Sequence, residues 1–443
     1  MDATQVLGCR SISSHPHLGN DTLVVEGFRD RARILRLNSQ PIGTELSPHQ
    51  FEIPSRGRSM GSSNRVPLFI NRFSLSPRTA IGVQTVRLMD PHQDWLHFHW
   101  WSSSLKRLDP RSVLFENTVL SRYSFLHNPE LLRVCEWLGL SSWNGSDLRP
   151  SLAKRLATEY RDRVSSAYVA PLSETDATRC LKLTNLVGAP FVLHLWDVLQ
   201  GDVATGALRE LVDRAESVFC VSQPLLDDVS LIRSDAELLY FSRDASLSTA
   251  APRERGALKI VMHGNIHSYV EGLDDLDEAI ALLERRGLKV EVVFLGTPKI
   301  LRQTKTPLKK RVDVRGFCPT QQDLDHELSR AHVAFLPGPK MDPKEDLRSR
   351  YSIPSRILDY MAVGLPIVGA VHKNSATADF AHKLGLDSAV TCSGPEEIAE
   401  WLVRLARAKG WVEESGKSRN AFDLLQSQEP PAQRLKRALD LIA

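Results

Sequence analysis

Short apolar runs alternate with segments of helical period through the second half of the chain. Residues 258–262 (LKIVM) form an apolar run that ends in His263-Gly264-Asn265, the pattern of a buried parallel strand and its exit loop. Residues 274–286 place Leu276, Ile280 and Leu283 at helical spacing, and Gly287 stops that helix. Residues 290–295 (VEVVFL), 312–314, 332–336 and 366–371 read as further strands, with helices over 321–330 and 355–363 between them. Strands that alternate with helices about every thirty residues predict a doubly wound parallel sheet.

The first half has the same character with less regularity. Residues 94–99 (DWLHFH), 166–170, 190–195 (PFVLHL) and 217–221 read as strands, with a helix ending at 186 and another near 207–215. Residues 101–165, rich in Trp, Arg and Leu, read as a helical insertion, and 38–65, rich in Ser, Pro, Gly and Arg, as an extended loop. The pattern places no first strand here. Residues 242–256 are polar and small without periodicity, which predicts a linker. The expected organisation is α/β: one Rossmann-like domain over 1–245, a second over 257–425, and an amphipathic helix over 430–443. Two doubly wound sheets facing each other leave a cleft at the carboxyl ends of their strands, where ligands bind.

Composition narrows the function. Of 443 residues, 42% are hydrophobic and 25% charged, the balance of a globular protein with a large core. No charge-poor apolar run is long enough to predict a transmembrane helix, and the N-terminus lacks the basic start and apolar block of a secretory signal. Cytoplasmic residence is the expectation. The six cysteines are scattered without a C-x-x-C pair, against a zinc ribbon or disulfide framework, and a net charge of +3 gives no reason to expect nucleic acid. Neither G-x-G-x-x-G nor G-x-x-x-x-G-K-[ST] is present, so dinucleotide and P-loop functions lose their main support.

The most informative stretch is 352–368 (SIPSRILDYMAVGLPIV). Pro354 and Ser355 open a helix whose first N–H groups suit a diphosphate, and Arg356 adds a fork of donors in the first turn. Asp359, one turn on from Ser355, has a carboxylate able to accept from two neighbouring hydroxyls, as a ribose offers. This stretch resembles the donor-binding signature of retaining GT-B glycosyltransferases of the group 1, family 4 type. Arg315-Gly316-Phe317 and residues 331–337 (AHVAFLP) lie around it in the family's order. The resemblance implies a GT-B fold and a nucleoside-diphosphate sugar as substrate, with no bound metal or cofactor. It makes Asp359 the ribose carboxylate, faces the Pro354, Ser355, Arg356 turn to the diphosphate, and puts Gly264 and Asn265 in the donor loop. It further implies a glycan or lipid-linked acceptor and retention of configuration.

Three departures from that family stand out. Tyr351 takes the place of an acidic residue, and Asn265 and Glu271 take the places of two basic ones. Lys344, Arg348 and Arg350, just before the signature, are the candidate replacement cations for the leaving diphosphate.

On the first-half side, His194 and Asp197 close a strand at the expected cleft, resembling the family's strand-end histidine with an aspartate nearby. They are the candidate catalytic pair; the alternative is a core histidine, with Asp197 capping the next helix. His97 and His99 share one strand face and are candidates to line the cleft. Three functions fit these residues: sugar transfer, a catalytically inactive GT-B protein that binds a glycan or partner enzyme, and a nucleotide-sugar epimerase. Lys154, Arg155, Arg161 and Arg163 share a predicted helix with Leu152, Leu156 and Tyr160, which would allow peripheral contact with the inner membrane face.

Overall fold

The computed structural model describes residues 65–73, 84–85, 87–89, 95–101, 160–198, 201–252, 256–264, 266, 269–296 and 311–443. The chain from Ser62 to Ala443 forms one compact unit.

Its first sheet contains β1 (Val66–Phe73), β2 (Leu96–Trp101), β3 (Val164–Ala170), β4 (Phe191–Leu195), β5 (Ser217–Cys220) and β6 (Glu237–Leu238), in the spatial order β2-β1-β3-β4-β5-β6. Every pairing is parallel. β1 is the strand that the hydrophobic pattern does not place. It follows a Ser- and Arg-rich stretch and carries Pro67, Asn71 and Arg72, so neither period shows. Its register with β3 shifts between Val66 and Leu68, at the proline that has no N–H to give the ladder. Leu68, Phe69 and Ile70 are nonetheless wholly buried, because β1 lies between β2 and β3.

Helices α1 (Glu174–Val187), α2 (Gly206–Arg214) and α3 (Gln223–Ser230) connect these strands. Ser173 caps α1 by accepting the Asp176 N–H at 3.2 Å, and Gly188 ends it with φ at 68°.

The second sheet contains β7 (Leu258–His263), β8 (Val290–Leu295), β9 (Val312–Val314), β10 (Val333–Pro337) and β11 (Ile367–Ala370), in the order β11-β10-β7-β8-β9 and again all parallel. Helices α4 (Val270–Arg285), α5 (Gln321–Ser329), α6 (Leu347–Tyr351), α7 (Arg356–Ala362), α8 (Ala376–Lys383), α9 (Asp387–Val390), α10 (Pro395–Leu405) and α11 (Ala408–Gln426) belong to this half. The strand order reverses between β7 and β10, which makes their exits the switch point where doubly wound sheets bind ligands. Gly264 turns the chain out of β7 with φ at +81°, and a side chain at Gly338 would run into Val371.

A final helix, α12 (Pro431–Ile442), returns to the first half. Its apolar face packs Leu435, Ala438 and Leu439 with Phe69, Tyr168, Val192, Trp196 and Phe219 of the first sheet. Leu435→Ala, at a wholly buried position, is expected to destabilise the protein by about 2–3 kcal/mol, read by urea denaturation.

The described residues of the predicted linker, 242–252 and 256, lack regular structure but form no loose tether. The Ala250 N–H donates to the Val363 carbonyl at 2.9 Å, and Arg243 is buried. Of the expected insertion over 101–165, Trp101 belongs to β2, and residues 102–159 lie outside the described residues. At its end Tyr160 is buried in the first core, with the Arg163 guanidinium 5.3 Å over its ring, while Arg161, Asp162 and Arg163 are exposed. Lys154 and Arg155 lie outside the described residues. No helix among those described is long and apolar enough to cross a membrane.

Candidate functional site

The chain approaches α7 through an extended turn after α6, and Pro354 fixes the entry. Ile357, Leu358, Tyr360 and Met361 are buried, so apolar packing rather than capping holds this short helix. Ser355 is itself helical and its side chain makes no cap bond. The Ile357 N–H already donates to the Pro354 carbonyl at 3.0 Å, and the Leu358 N–H to the Ser355 carbonyl at 3.1 Å. The predicted helix is therefore present, but the free N–H groups expected at its start are largely used. Capacity for an anion here rests on the Arg356 side chain, whose guanidinium lies 5.5 Å over the Tyr269 ring.

Asp359 does not stand open as a ribose carboxylate. It is 6% exposed and forms the hub of a charged network. Arg243, from the connecting segment, donates through Nε to Asp359 Oδ1 at 2.7 Å and through Nη2 to Asp325. Arg87, from the first half, reaches the same oxygen at 3.5 Å and also donates to the Ser242 carbonyl and to Gln321. His263 Nε2 faces Asp359 Oδ2 at 3.4 Å. Burial alone would raise the Asp359 carboxyl, but His263, Arg87 and Arg243 outweigh it and hold the group below the usual carboxylate range.

His263, the last residue of β7, is neutral at pH 7. Burial is the main cause that brings it down to about 4; Arg356 and Arg243 act the same way, against Asp359 and a backbone hydrogen bond with Arg356. Its own N–H donates to the Tyr360 hydroxyl at 3.3 Å, tying β7 to α7.

Asp197 follows β4 and faces the second half. Burial pushes its carboxyl up to about 6, opposed by a hydrogen bond with the Ser352 side chain and by the nearby charge of Arg348. Burial is the main cause that raises the Tyr269 phenol, and the charges of Arg356, Asp197, Arg348 and Asp346 all act on it, so these groups lie within electrostatic reach of one ring. One half thus supplies a carboxylate and the other supplies two guanidiniums, a hydroxyl and a phenol. The site gathers the predicted Asp197, Arg348 and Arg356, and adds Ser352 and Tyr269.

Several predicted residues lie elsewhere. His194 is wholly buried beneath the first sheet: Nε2 meets the Leu239 carbonyl at 3.1 Å, and Nδ1 accepts from Trp196 Nε1 at 2.7 Å beside the Tyr168 hydroxyl at 2.9 Å. Burial lowers it to about 3, so it is a neutral core histidine with no nitrogen left for a sugar. His194→Ala is expected to cost about 2 kcal/mol of stability while leaving the turnover of the folded fraction within about twofold, checked by thermal unfolding beside an activity assay. His97 is likewise buried, with Nε2 2.9 Å from Asn71 Oδ1, and does not line a cleft.

Arg350 is engaged by Asp228 of α3 at 2.8 and 2.6 Å, and the Tyr351 hydroxyl donates to the same carboxylate at 2.6 Å. That pair ties the two halves together instead of facing a phosphate. Lys344 is exposed in the loop before α6. Gly264 lies at the β7 exit, while the side chain of His99 and all of Asn265 lie outside the described residues.

Sequence reasoning assigned no role to His263, Arg243, Arg87, Ser352 or Tyr269. The one available signal was His263 directly before the glycine that ends β7.

Comparison with known proteins bears on the fold. Residues 257–408 match the family model described as glycosyl transferases group 1. No curated protein sequence matches. Among solved structures, HepE of Anabaena in complex with UDP and glucose is similar at 13% identity, covering 85% of this chain and 99% of its own, with a TM-score of 0.56. The same protein in complex with UDP-glucose gives 14% identity, equal coverage and a TM-score of 0.56. A glycosyltransferase from Rickettsia africae gives 10% identity, 86% and 99% coverage and a TM-score of 0.52. What the chain shares with these structures is the fold, two Rossmann-like domains of the GT-B type.

Proposed function

We propose that this chain, a glycosyltransferase of GT-B fold whose residues 257–408 form a glycosyl transferases group 1 domain, moves a sugar from a nucleoside-diphosphate donor to a hydroxyl of a glycan or lipid-linked acceptor. The observation that carries the proposal is the convergence of Asp197 from the first half with Ser352, Arg348, Arg356 and Tyr269 from the second. Donor diphosphate sits over the β7 exit against Arg356, with Arg348 as its second cation. These two guanidiniums neutralise the charge that develops on the diphosphate as it leaves. Asp197 orients a hydroxyl of the transferred sugar or of the acceptor.

In transfer with retention, the bond from the anomeric carbon to the phosphate oxygen breaks and one to the acceptor oxygen forms on the same face. The acceptor proton passes to the departing diphosphate, and no side chain need serve as nucleophile. Asp359 acts one layer below, as the residue that fixes α7 against β7.

Because Asp197 titrates near 6, turnover is expected to rise as pH increases through that value and then level off. Nucleotide release from UDP-, GDP- and ADP-sugars, with and without glycan acceptors, tests the function. Acceptor-dependent release with a new glycoside in the product supports transfer. Conversion of the sugar with no acceptor present would instead identify an epimerase. Tyr351, bound to Asp228 where the family resemblance expects a carboxylate, favours the second reading of a non-catalytic GT-B protein. Tight glycan binding without any nucleotide release would establish that reading.

A further inference from the structure

We infer that His263 is a further donor-binding residue, which takes up a proton from solvent when a diphosphate settles at the β7 exit. The inference rests on the donor site proposed above. His263 stands at the switch point of the second sheet, and among the described residues a side-chain carbon at Gly264 would meet nothing within 4 Å. The His263 ring is buried, with Nε2 facing Asp359 Oδ2 at 3.4 Å and the Tyr360 ring edge-on at 5.1 Å.

The charged groups around it come from three elements: Asp359 and Arg356 from α7, Arg243 from the connecting segment and Arg87 from the first half. Before the donor binds, Arg243 and Arg87 already balance Asp359 and Asp325, so a further positive charge on His263 has nothing to compensate its burial. A donor diphosphate brings two negative charges beside Arg356, into the same low-dielectric locus. One proton on His263 is the smallest rearrangement that offsets them, because Nε2, buried without a hydrogen-bond partner among the described residues, lies only 3.4 Å from Asp359 Oδ2. Arg243 and Asp359 are positioning residues in this scheme: Arg243, with burial, keeps the ring neutral until the phosphate arrives, and Asp359 lies where it favours the charged ring once the phosphate is there.

Linkage makes the effect measurable. The free ring is neutral above about pH 4, so binding that protonates it must weaken as pH rises. Titration calorimetry of the full chain with UDP-glucose, GDP-mannose and ADP-glucose, in buffers of different ionisation enthalpy, reads the proton directly. These donors are diesters whose phosphates do not themselves titrate near neutrality. For whichever donor binds, uptake approaching one proton at pH 6 is expected, with affinity falling by up to about tenfold per pH unit where uptake is full.

His263→Gln is expected to take up clearly fewer protons than the wild type on binding at pH 6, what remains being the share of Asp197, and to bind about tenfold more weakly there. Binding to the wild type with no net uptake, or uptake undiminished in His263→Gln, overturns the inference and leaves the donor site standing. Failure of all three donors to bind overturns the donor site, and the inference with it.

Discussion

Replacing Arg243 with methionine is expected to destabilise the protein by about 3–5 kcal/mol at pH 7, the range for removing one partner of a buried ion pair. The Arg243 side chain is 1% exposed and ion-pairs with two carboxylates, Asp325 and Asp359, which are themselves nearly buried. Methionine fills much of the volume, so the penalty comes from two uncompensated charges rather than from a cavity.

The sign with pH follows from Asp359. Its folded-state carboxyl is held below the usual range, so it contributes stability above the unfolded value near 4, and that contribution is lost as pH falls through the folded value. The gap between wild type and variant should therefore be widest near neutrality and narrow below about pH 4. Urea denaturation at pH 7 and pH 4 measures both. Lysine at 243 is expected to recover only part of the loss, since one ammonium cannot span Asp325 and Asp359 as the guanidinium fork does.

Asp197→Asn is expected to move activity and stability in opposite directions. Transfer should fall by about 10²-fold or more, as when a preorganised polar group is removed from a reacting centre. Stability should rise by about 1–2 kcal/mol at pH 7. The sign again follows from the titration: a carboxyl raised to about 6 holds its proton longer in the folded state, so its ionisation weakens the fold as pH climbs from about 4 to 6. Asparagine keeps the shape and removes that penalty. Equal stability of the two proteins at pH 7 would mean that Asp197 is not held in a site unfavourable to its charge. A residue that lowers stability while facing the Arg348 guanidinium and the Ser352 side chain of the other half has the character of a functional group.

Much of the second half could be read in advance because its strands are continuous apolar runs between glycines. Those expected at 258–262 and 290–295 formed at Leu258–His263 and Val290–Leu295. The helix expected over 321–330 formed at Gln321–Ser329, behind a capping box from Thr320 to Asp323. β1 escaped notice because a central strand with Pro67 and Asn71 shows neither period.

At the site, the sequence brought Arg356 and Asp197 into view through their places at element ends. It left His194 open between a catalytic and a core histidine and did not foresee the ion pairs of Asp359, because the neighbours of both are remote in sequence. The partners that decide their roles are Leu239, Tyr168 and Trp196 for one, and Arg243 and Arg87 for the other. A spacing argument shows which residues reach a strand end. It does not show whether a guanidinium from a linker arrives there first.

The central claim is that a donor diphosphate binds over the β7 exit against Arg356. The most direct test is a thermal-shift titration of wild type and Arg356→Ala with UDP, GDP, ADP and their common sugars. The account predicts that one nucleotide stabilises the wild type, by about 2.7 kcal/mol at a hundredfold excess over its dissociation constant, and that the shift is largely lost in Arg356→Ala. An equal shift in both proteins would contradict it.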